Sequence, residues 1–262
     1  MSELKQQIVQ QLPYLRRYAR ALTGSQATGD GLIRDSLEIL LQDPRRLQAG
    51  GSLRLRLFSL FHEAIGQPAP AMAEMAGVLD PMQRRVGERL AELSPADRQA
   101  LLLVHQEGFS PAEAGEILGL GVEEVERRID HAWADLKRQP ATDVLIIEDE
   151  PVIAMDVAQI VRGLGHRVIG IAARASQAVA KAREAKPGLI LADIQLADGS
   201  SGITAVQTIL KGAEVPVVFV TAFPERLLTG QTLEPAFVVT KPFDAASIEV
   251  AVSQALFFAN RG

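Results

Sequence analysis

The stretch DVLIIEDE (143–150) decides the fold of the second half of this 262-residue chain. Val144, Leu145, Ile146 and Ile147 run without polar alternation into three acids, Glu148, Asp149 and Glu150. A strand that is apolar on both faces must be covered on both, as in a parallel sheet held between helical layers. Four similar runs follow: RVIGIA (167–172), GLILAD (188–193), PVVFVT (216–221) and AFVVTK (236–241), with helix-period segments between them. Five such units in about 120 residues fit the flavodoxin-like doubly wound α/β fold, whose ligands sit at the carboxyl ends of the strands.

At those ends stand Glu148 and Asp149, Asp193, Thr221 and Lys241. Three carboxylates, a hydroxyl and an ammonium are therefore predicted on one rim. Acids so close repel one another unless a cation joins them, and an all-oxygen ligand set favours Mg²⁺. With Mg²⁺ and Lys241 to hold spreading charge, one carboxylate can attack a phosphoryl group and become an acyl phosphate. The segments LIIEDE (145–150), LILADIQL (189–196), VFVTA (218–222) and TKPF (240–243) resemble the receiver domain of two-component response regulators over roughly residues 142–260. The resemblance implies Asp193 as phosphoacceptor. It implies Asp149, Asp193 and the backbone carbonyl of Gln195 as Mg²⁺ ligands, with Glu148 acting through water. Thr221 would bind a phosphoryl oxygen and Lys241 would pair with the acids. The aromatic switch position of receivers, three residues before the lysine, is Val238 here, with Phe237 beside it.

Residues 1–138 are helical in period almost throughout. Leu12, Leu15, Tyr18, Ala19 and Leu22 form one apolar stripe; Leu32, Ser36, Leu37, Leu40 and Leu41 form another. GGSLRLRLFSLFHEAIG (50–66) gives a third helix. QPAPAMAEMAG (67–77), rich in Pro and Ala, reads as part of a linker. Further on, Ser94-Pro95 and Ser110-Pro111 each set a cap residue before a proline, so helices are predicted to start near 95 and 111, with Gly108 closing the one between. This divides the chain into a helical subunit (1–66), a linker (67–79), a second helical subunit (80–139) and the α/β domain (140–262).

Neither half is basic. Residues 1–140 carry 17 Lys and Arg against 19 Asp and Glu, and the remainder carries 10 against 13. Nucleic-acid binders gain affinity by neutralising phosphates, so only a local patch such as Arg16, Arg17 and Arg20, or Arg45 and Arg46, could serve. The chain has no cysteine, which excludes disulfides and thiolate metal sites. It has no run of eighteen apolar residues and no signal-like N-terminus, so it reads as a soluble, cytoplasmic protein. His62, His105 and His131 lie on predicted helices with no acid or nucleophile at productive spacing, and nothing suggests an enzyme.

LPYLRRYARALTGSQATGDGLIRDSLEILLQDP (12–44) resembles region two of the extracytoplasmic-function sigma factors. Residues 90–139, from LAELSPADRQ to AWADLKRQ, resemble region four, the helix-turn-helix that reads promoter −35 DNA. Leu101, Leu102, Val104, Ala114, Ile117, Leu118, Val122, Val125, Ile129, Trp133 and Leu136 look like its core. The helix after Gly121 departs from that pattern. Its outer face offers Glu123, Glu124, Glu126, Asp130 and Asp135, against Arg127, Arg128, Lys137 and Arg138. Acids at a helix start also stabilise it through the macrodipole, so local stability accounts for part of this order. Yet those N-terminal residues are the ones that would meet bases and phosphates. A sigma-like shape without sigma-like DNA chemistry points to a protein partner. Joined to a C-terminal receiver, it resembles, end to end, the PhyR family of general stress response regulators of alphaproteobacteria. The resemblance implies an anti-anti-sigma factor: phosphorylation of the receiver by a histidine kinase releases the sigma-like region, which sequesters a NepR-like anti-sigma factor. The alternative is a receiver-gated sigma factor or transcription factor that binds promoter DNA itself.

Overall fold

The computed structural model describes residues 3–23, 26–48, 51–66, 95–136, 140–224, 227 and 237–259. The expected linker at 67–79, the start of the second helical subunit at 80–94, and Lys137 and Arg138 lie outside them. The chain divides into two compact units, Met1–Asp135 and Leu136–Gly262.

The first unit is all helix. Helix α1 spans Glu3–Thr23, α2 Gln26–Gln42 and α3 Leu53–Gly66, with a 3₁₀ turn at Pro44–Gln48. Leu15, Tyr18, Ala19 and Leu22 of α1 are buried, as their helical spacing requires, with the Tyr18 ring against Phe58 and Phe61 of α3; Ile33 and Leu40 of α2 are buried as well. Leu41, expected in the second stripe, is 78% exposed; Ile33 is buried in that helix instead. Then come α4 (Pro95–Leu101), a π turn (Leu102–Gln106), α5 (Pro111–Leu118) and α6 (Val122–Leu136).

The start of α5 is fixed by a reciprocal cap. The Glu113 amide donates to Ser110 Oγ at 3.2 Å, and the Ser110 amide donates to Glu113 Oε2 at 2.9 Å. Its end is fixed by Gly119, at φ 68°, where a side chain would be strained. The turn into α6 is tight enough that a Cβ on Gly115 would lie 2.6 Å from the Leu120 carbonyl oxygen. Val125, Ile129 and Leu136 are buried, whereas Val122 is 43% exposed and Trp133 is only half-buried, its ring 5.8 Å from that of His105. The two helical subunits pack on each other, α3 against α5 and α1 against the π turn, with the Phe58 and Phe109 rings edge to face at 5.0 Å.

His62 is not a free helix-face residue. The Tyr18 hydroxyl lies 2.7 Å from its Nε2, and burial lowers the imidazole pKa to about 4. A neutral ring shares this bond with the buried tyrosine hydroxyl. Unfolded, the same group protonates near pH 6.5, so stability is full above that pH and is lost as pH falls towards 4. The loss at pH 4.5 is roughly 2–3 kcal/mol. Urea unfolding at pH 7 and 4.5 should show a shallower pH dependence for His62→Gln than for wild type; equal dependences would contradict the assignment.

The second unit is a parallel five-stranded sheet in the order β2-β1-β3-β4-β5. Its strands are β1 (Asp143–Ile147), β2 (Arg167–Ala172), β3 (Leu189–Ala192), β4 (Val217–Thr221) and β5 (Phe237–Thr240). Helices α7 (Pro151–Gly163) and α10 (Ala245–Ala259) cover one face; α8 (Ala175–Ala185) and α9 (Gly202–Leu210) cover the other. Successive strand residues point to opposite faces. Val144, Ile146, Leu189, Leu191, Val218 and Val220 therefore pack with Val157, Ile248 and Leu256. Leu145, Ile147, Ile190 and Phe219 pack with Ala178, Ala205 and Ile209 on the other side. Each fully buried Val, Leu, Ile or Phe side chain among them contributes about 1.5–3 kcal/mol. Of the segment between β4 and β5, residues 225–226 and 228–236 lie outside the described set.

Candidate functional site

The chain leaves β1 outward to β2 and returns past it to β3, so the strand order reverses between β1 and β3. In such sheets the crevice at the carboxyl ends of these strands is where ligands bind. Register brings the polar groups there together. Ile147 pairs with Ala192, so the residues that follow, Glu148 and Asp193, emerge side by side. Thr221 pairs with Thr240, which sets Lys241 next to them, its amide donating to the Thr221 carbonyl at 2.8 Å.

Lys241 Nζ donates to Glu148 Oε2 and to Asp193 Oδ2, both at 2.7 Å. The three side chains are 10%, 3% and 12% exposed. Burial pushes the Glu148 carboxyl up, with Lys241 pulling against it. Burial also works against the Lys241 cation, but its bonds to Asp193 and Glu148 prevail and hold its pKa above the usual lysine value. Carboxylate oxygens of Glu148, Asp149 and Asp193 all lie within 4.8 Å of one another. Asp149 Oδ2 accepts from the Ala197 amide at 3.1 Å and Asp193 Oδ1 from the Gln195 amide at 3.3 Å. Thr221 is fully buried, and its Oγ1 accepts from the Phe223 amide at 3.2 Å.

The loop after β3 folds back through a bridge between Gln195 and Ser201. Its bonds run from the Leu196 amide to the Ser200 carbonyl and from the Gly202 amide to the Ile194 carbonyl, leaving the carbonyl of Gln195 out of the bridge. Helix α9 then begins against the backbone of Asp193. A Cβ on Gly202 would lie 1.7 Å from the Asp193 carbonyl oxygen, so only glycine fits.

One ammonium against three carboxylates leaves two negative charges, which one divalent cation balances; an oxygen-only donor set suits Mg²⁺. The side chains of Glu148, Asp149, Asp193 and Lys241 thus lie together, with Thr221 at the end of the neighbouring strand β4. Phe237 is a different case. It packs with Val239, Ile248 and Ala251, whereas Val238 lies in the cluster on the opposite face of the sheet. Phe237 therefore does not stand in for an aromatic residue at Val238.

The suggested basic patches of the first unit are engaged within it. Arg16 pairs with Asp30 at 3.3 Å, Arg45 with Asp43 at 3.2 Å, Arg46 with Glu63 at 2.6 Å, and Arg20 donates to Gln26 at 3.0 Å. Arg17 is buried on Glu107. On α6, Glu124 accepts from both Arg127 and Arg128, whose guanidiniums hold its carboxyl down to about 2. Glu123, Glu126 and Asp130 are exposed. Sequence reasoning passed over Glu107; its signal was a lone acid at the end of the apolar run LLLVHQ (101–106). Among the described residues no helix is long and apolar enough to cross a membrane.

Residues 8–62 match the Sigma2 domain of PhyR, residues 90–139 the sigma-like domain of response regulator PhyR, and residues 144–253 the response regulator receiver domain. The chain is 49% identical to the phyllosphere-induced regulator PhyR of Methylorubrum extorquens, over 97% of this chain and 94% of that one. The crystal structure of the response regulator PhyR from Brucella abortus is 45% identical and superposes with a TM-score of 0.82, covering 99% of this chain and 96% of that one. The anti-anti-sigma factor PhyR from Bartonella quintana is 45% identical with a TM-score of 0.79, covering 96% and 95%.

Proposed function

From the premise that this chain belongs to the PhyR family of response regulators, we propose that it is a phosphorylation-gated anti-anti-sigma factor. The observation that carries the reading is the pairing, in one chain, of a closed sigma-like helical unit with a receiver rim of three acids and a lysine. In this reading Asp193 Oδ attacks the phosphorus of the donor. The bond from phosphorus to the donor's leaving atom breaks, and its electron pair departs with the donor, a histidine kinase or a small phosphodonor. Glu148, Asp149, Asp193 and the Gln195 carbonyl would hold Mg²⁺, which neutralises charge on the transferring oxygens. Lys241 would exchange its bond to Asp193 for one to the new phosphoryl group, and Thr221 would give up the Phe223 amide to meet a phosphoryl oxygen.

The acyl phosphate adds about −1.5 to −2 charges at this rim. Residues 1–66 and 80–139 act as two jaws joined by the 67–79 linker, and the receiver biases them between closed and open. Driving them from about 1% to 99% open takes roughly 5.5 kcal/mol, part of which a binding partner supplies. That partner is a NepR-like anti-sigma factor, whose capture frees an extracytoplasmic-function sigma factor for stress transcription. The relative from Bartonella quintana is itself described as an anti-anti-sigma factor, and the engaged arginines of the first unit argue against a DNA-binding role.

The test is calorimetry of the full-length protein with its anti-sigma factor, with and without beryllofluoride as a stable phosphoryl mimic. Binding should tighten by at least about a hundredfold with the mimic, close to 3 kcal/mol of bias. Equal affinity in the two states would end the gating reading.

A further inference from the structure

Glu107 has a carboxylate with no exposed surface, and Arg17, which it meets, is buried with it. The π turn before it explains its aim. The Glu107 amide bonds to the Leu102 carbonyl at 3.0 Å, one residue wider than an α turn, and the side chain meets α1 and α3. There Arg17 grips it as a fork, Nε to Oε1 at 2.9 Å and Nη2 to Oε2 at 2.8 Å. Arg54 Nη2 adds a bond to Oε2 at 3.0 Å and another to the Glu107 backbone carbonyl, and Gln106 Nε2 reaches Oε1 at 3.1 Å.

The two guanidiniums are held by aromatic faces. Arg54 lies 4.5 Å over the Phe109 ring and 5.5 Å over that of Phe58; Arg17 lies 5.5 Å over Tyr14. Tyr14, Arg17, Arg54 and Phe58 belong to α1 and α3, whereas Glu107 and Phe109 belong to the other half. If the halves part, the arginine fork and two of its aromatic walls stay together and their occupant leaves. Two parallel N–H donors at this spacing fit a carboxylate. A partner that refilled the cleft with apolar groups would bury the Arg54 guanidinium without the carboxylate it now holds, a strongly unfavourable outcome.

We propose that Arg17 and Arg54 form a carboxylate-binding site on the α1–α3 half, that Glu107 occupies it as a built-in pseudo-ligand, and that an acidic side chain of the captured protein replaces Glu107 in the complex. This rests on the sequestration reading and names the chemistry by which the partner is recognised. It also distinguishes a receptor from a plain clasp. In a clasp, removing either partner of the ion pair loosens closure and shifts binding in one direction. In a receptor, removing the pseudo-ligand helps the partner, and removing the fork harms it.

The experiment uses full-length protein and its NepR-like anti-sigma factor, with and without beryllofluoride. Glu107→Gln should tighten binding without the mimic by about tenfold or more and leave binding with the mimic within about twofold. Arg54→Gln should weaken binding with the mimic by about tenfold or more. Its side chain is 31% exposed, so this variant tests the fork with little risk to folding. Circular dichroism checks each variant, and Glu107→Asp, which withdraws the carboxylate by one methylene, takes the place of Glu107→Gln if that protein does not fold. Shifts of the same sign in the Glu107 and Arg54 variants would overturn the receptor, as would an Arg54→Gln protein that binds like wild type with the mimic present. Wild type that binds in neither state would overturn the sequestration reading, and the receptor with it.

Discussion

Asp193→Ala should take up no phosphoryl group from acetyl phosphate in the presence of Mg²⁺, while wild type is labelled. The reason lies in what each acid of the rim is already doing. Glu148 is more deeply buried than Asp193, has its pKa pushed up, and is held by Lys241 and by the Glu150 amide at 3.2 Å. The Asp149 carboxylate is tied to the loop amide of Ala197. Asp193 directly follows the central strand β3 and lies beside Lys241, where an attacking oxygen has a cation within hydrogen-bonding reach. Incorporation of ³²P, read on gels after acid quench, decides it; label on the Asp193→Ala protein at wild-type levels would show that another carboxylate is the nucleophile. Asp149→Asn gives the complementary result, since it retains Asp193 but removes a ligand charge. Mg²⁺ affinity should fall by at least about tenfold, the loss seen even for residues that only support a ligand.

How much of this was legible in the sequence depends on the range over which the physics acts. The five strands could be read because burial on both faces leaves an unbroken apolar run such as Val144 to Ile147, and the rim followed because strand ends are where such sheets bind ligands. The Ser110–Glu113 cap was legible in part for the same reason: its partners are three residues apart. Periodicity misleads at helix ends, where a residue can project past the surface it should pack on. Leu41 lies in the last turn of α2 and Val122 is the first residue of α6, and both are exposed. The Phe237 question was answerable in principle, since strand alternation puts neighbours on opposite faces. Glu107 stood out only as a lone acid, and what it pairs with was not legible. Its partner Arg17 is 90 residues away, and the π turn that aims it breaks the 3.6-residue period on which helical pattern reading depends.

Replacing Glu123, Glu124 and Glu126 together with Arg should turn a protein that ignores promoter DNA into one that binds it non-specifically with a steep salt dependence. Wild type offers duplex DNA little at the front of α6. Glu123 and Glu126 are exposed acids, and Arg127 and Arg128 are both engaged by Glu124. The substitution changes the local charge by six units and releases both arginines, so five adjacent cationic side chains would face the phosphates. Each phosphate neutralised steepens the slope of log K against log salt by about 0.9, and three to five contacts would weaken binding by roughly forty- to five-hundredfold between 50 and 200 mM salt. The same change lowers helix stability, because cations at an N-terminus oppose the macrodipole and two side-chain pairs are lost. The two effects are read separately, one by thermal melting and the other by a salt titration of fluorescence anisotropy on a −35 duplex. Wild-type protein that bound the promoter with a strong salt slope and a preference for its sequence would mean that the acids of α6 do not exclude DNA, and the chain would then work as a receiver-gated sigma factor.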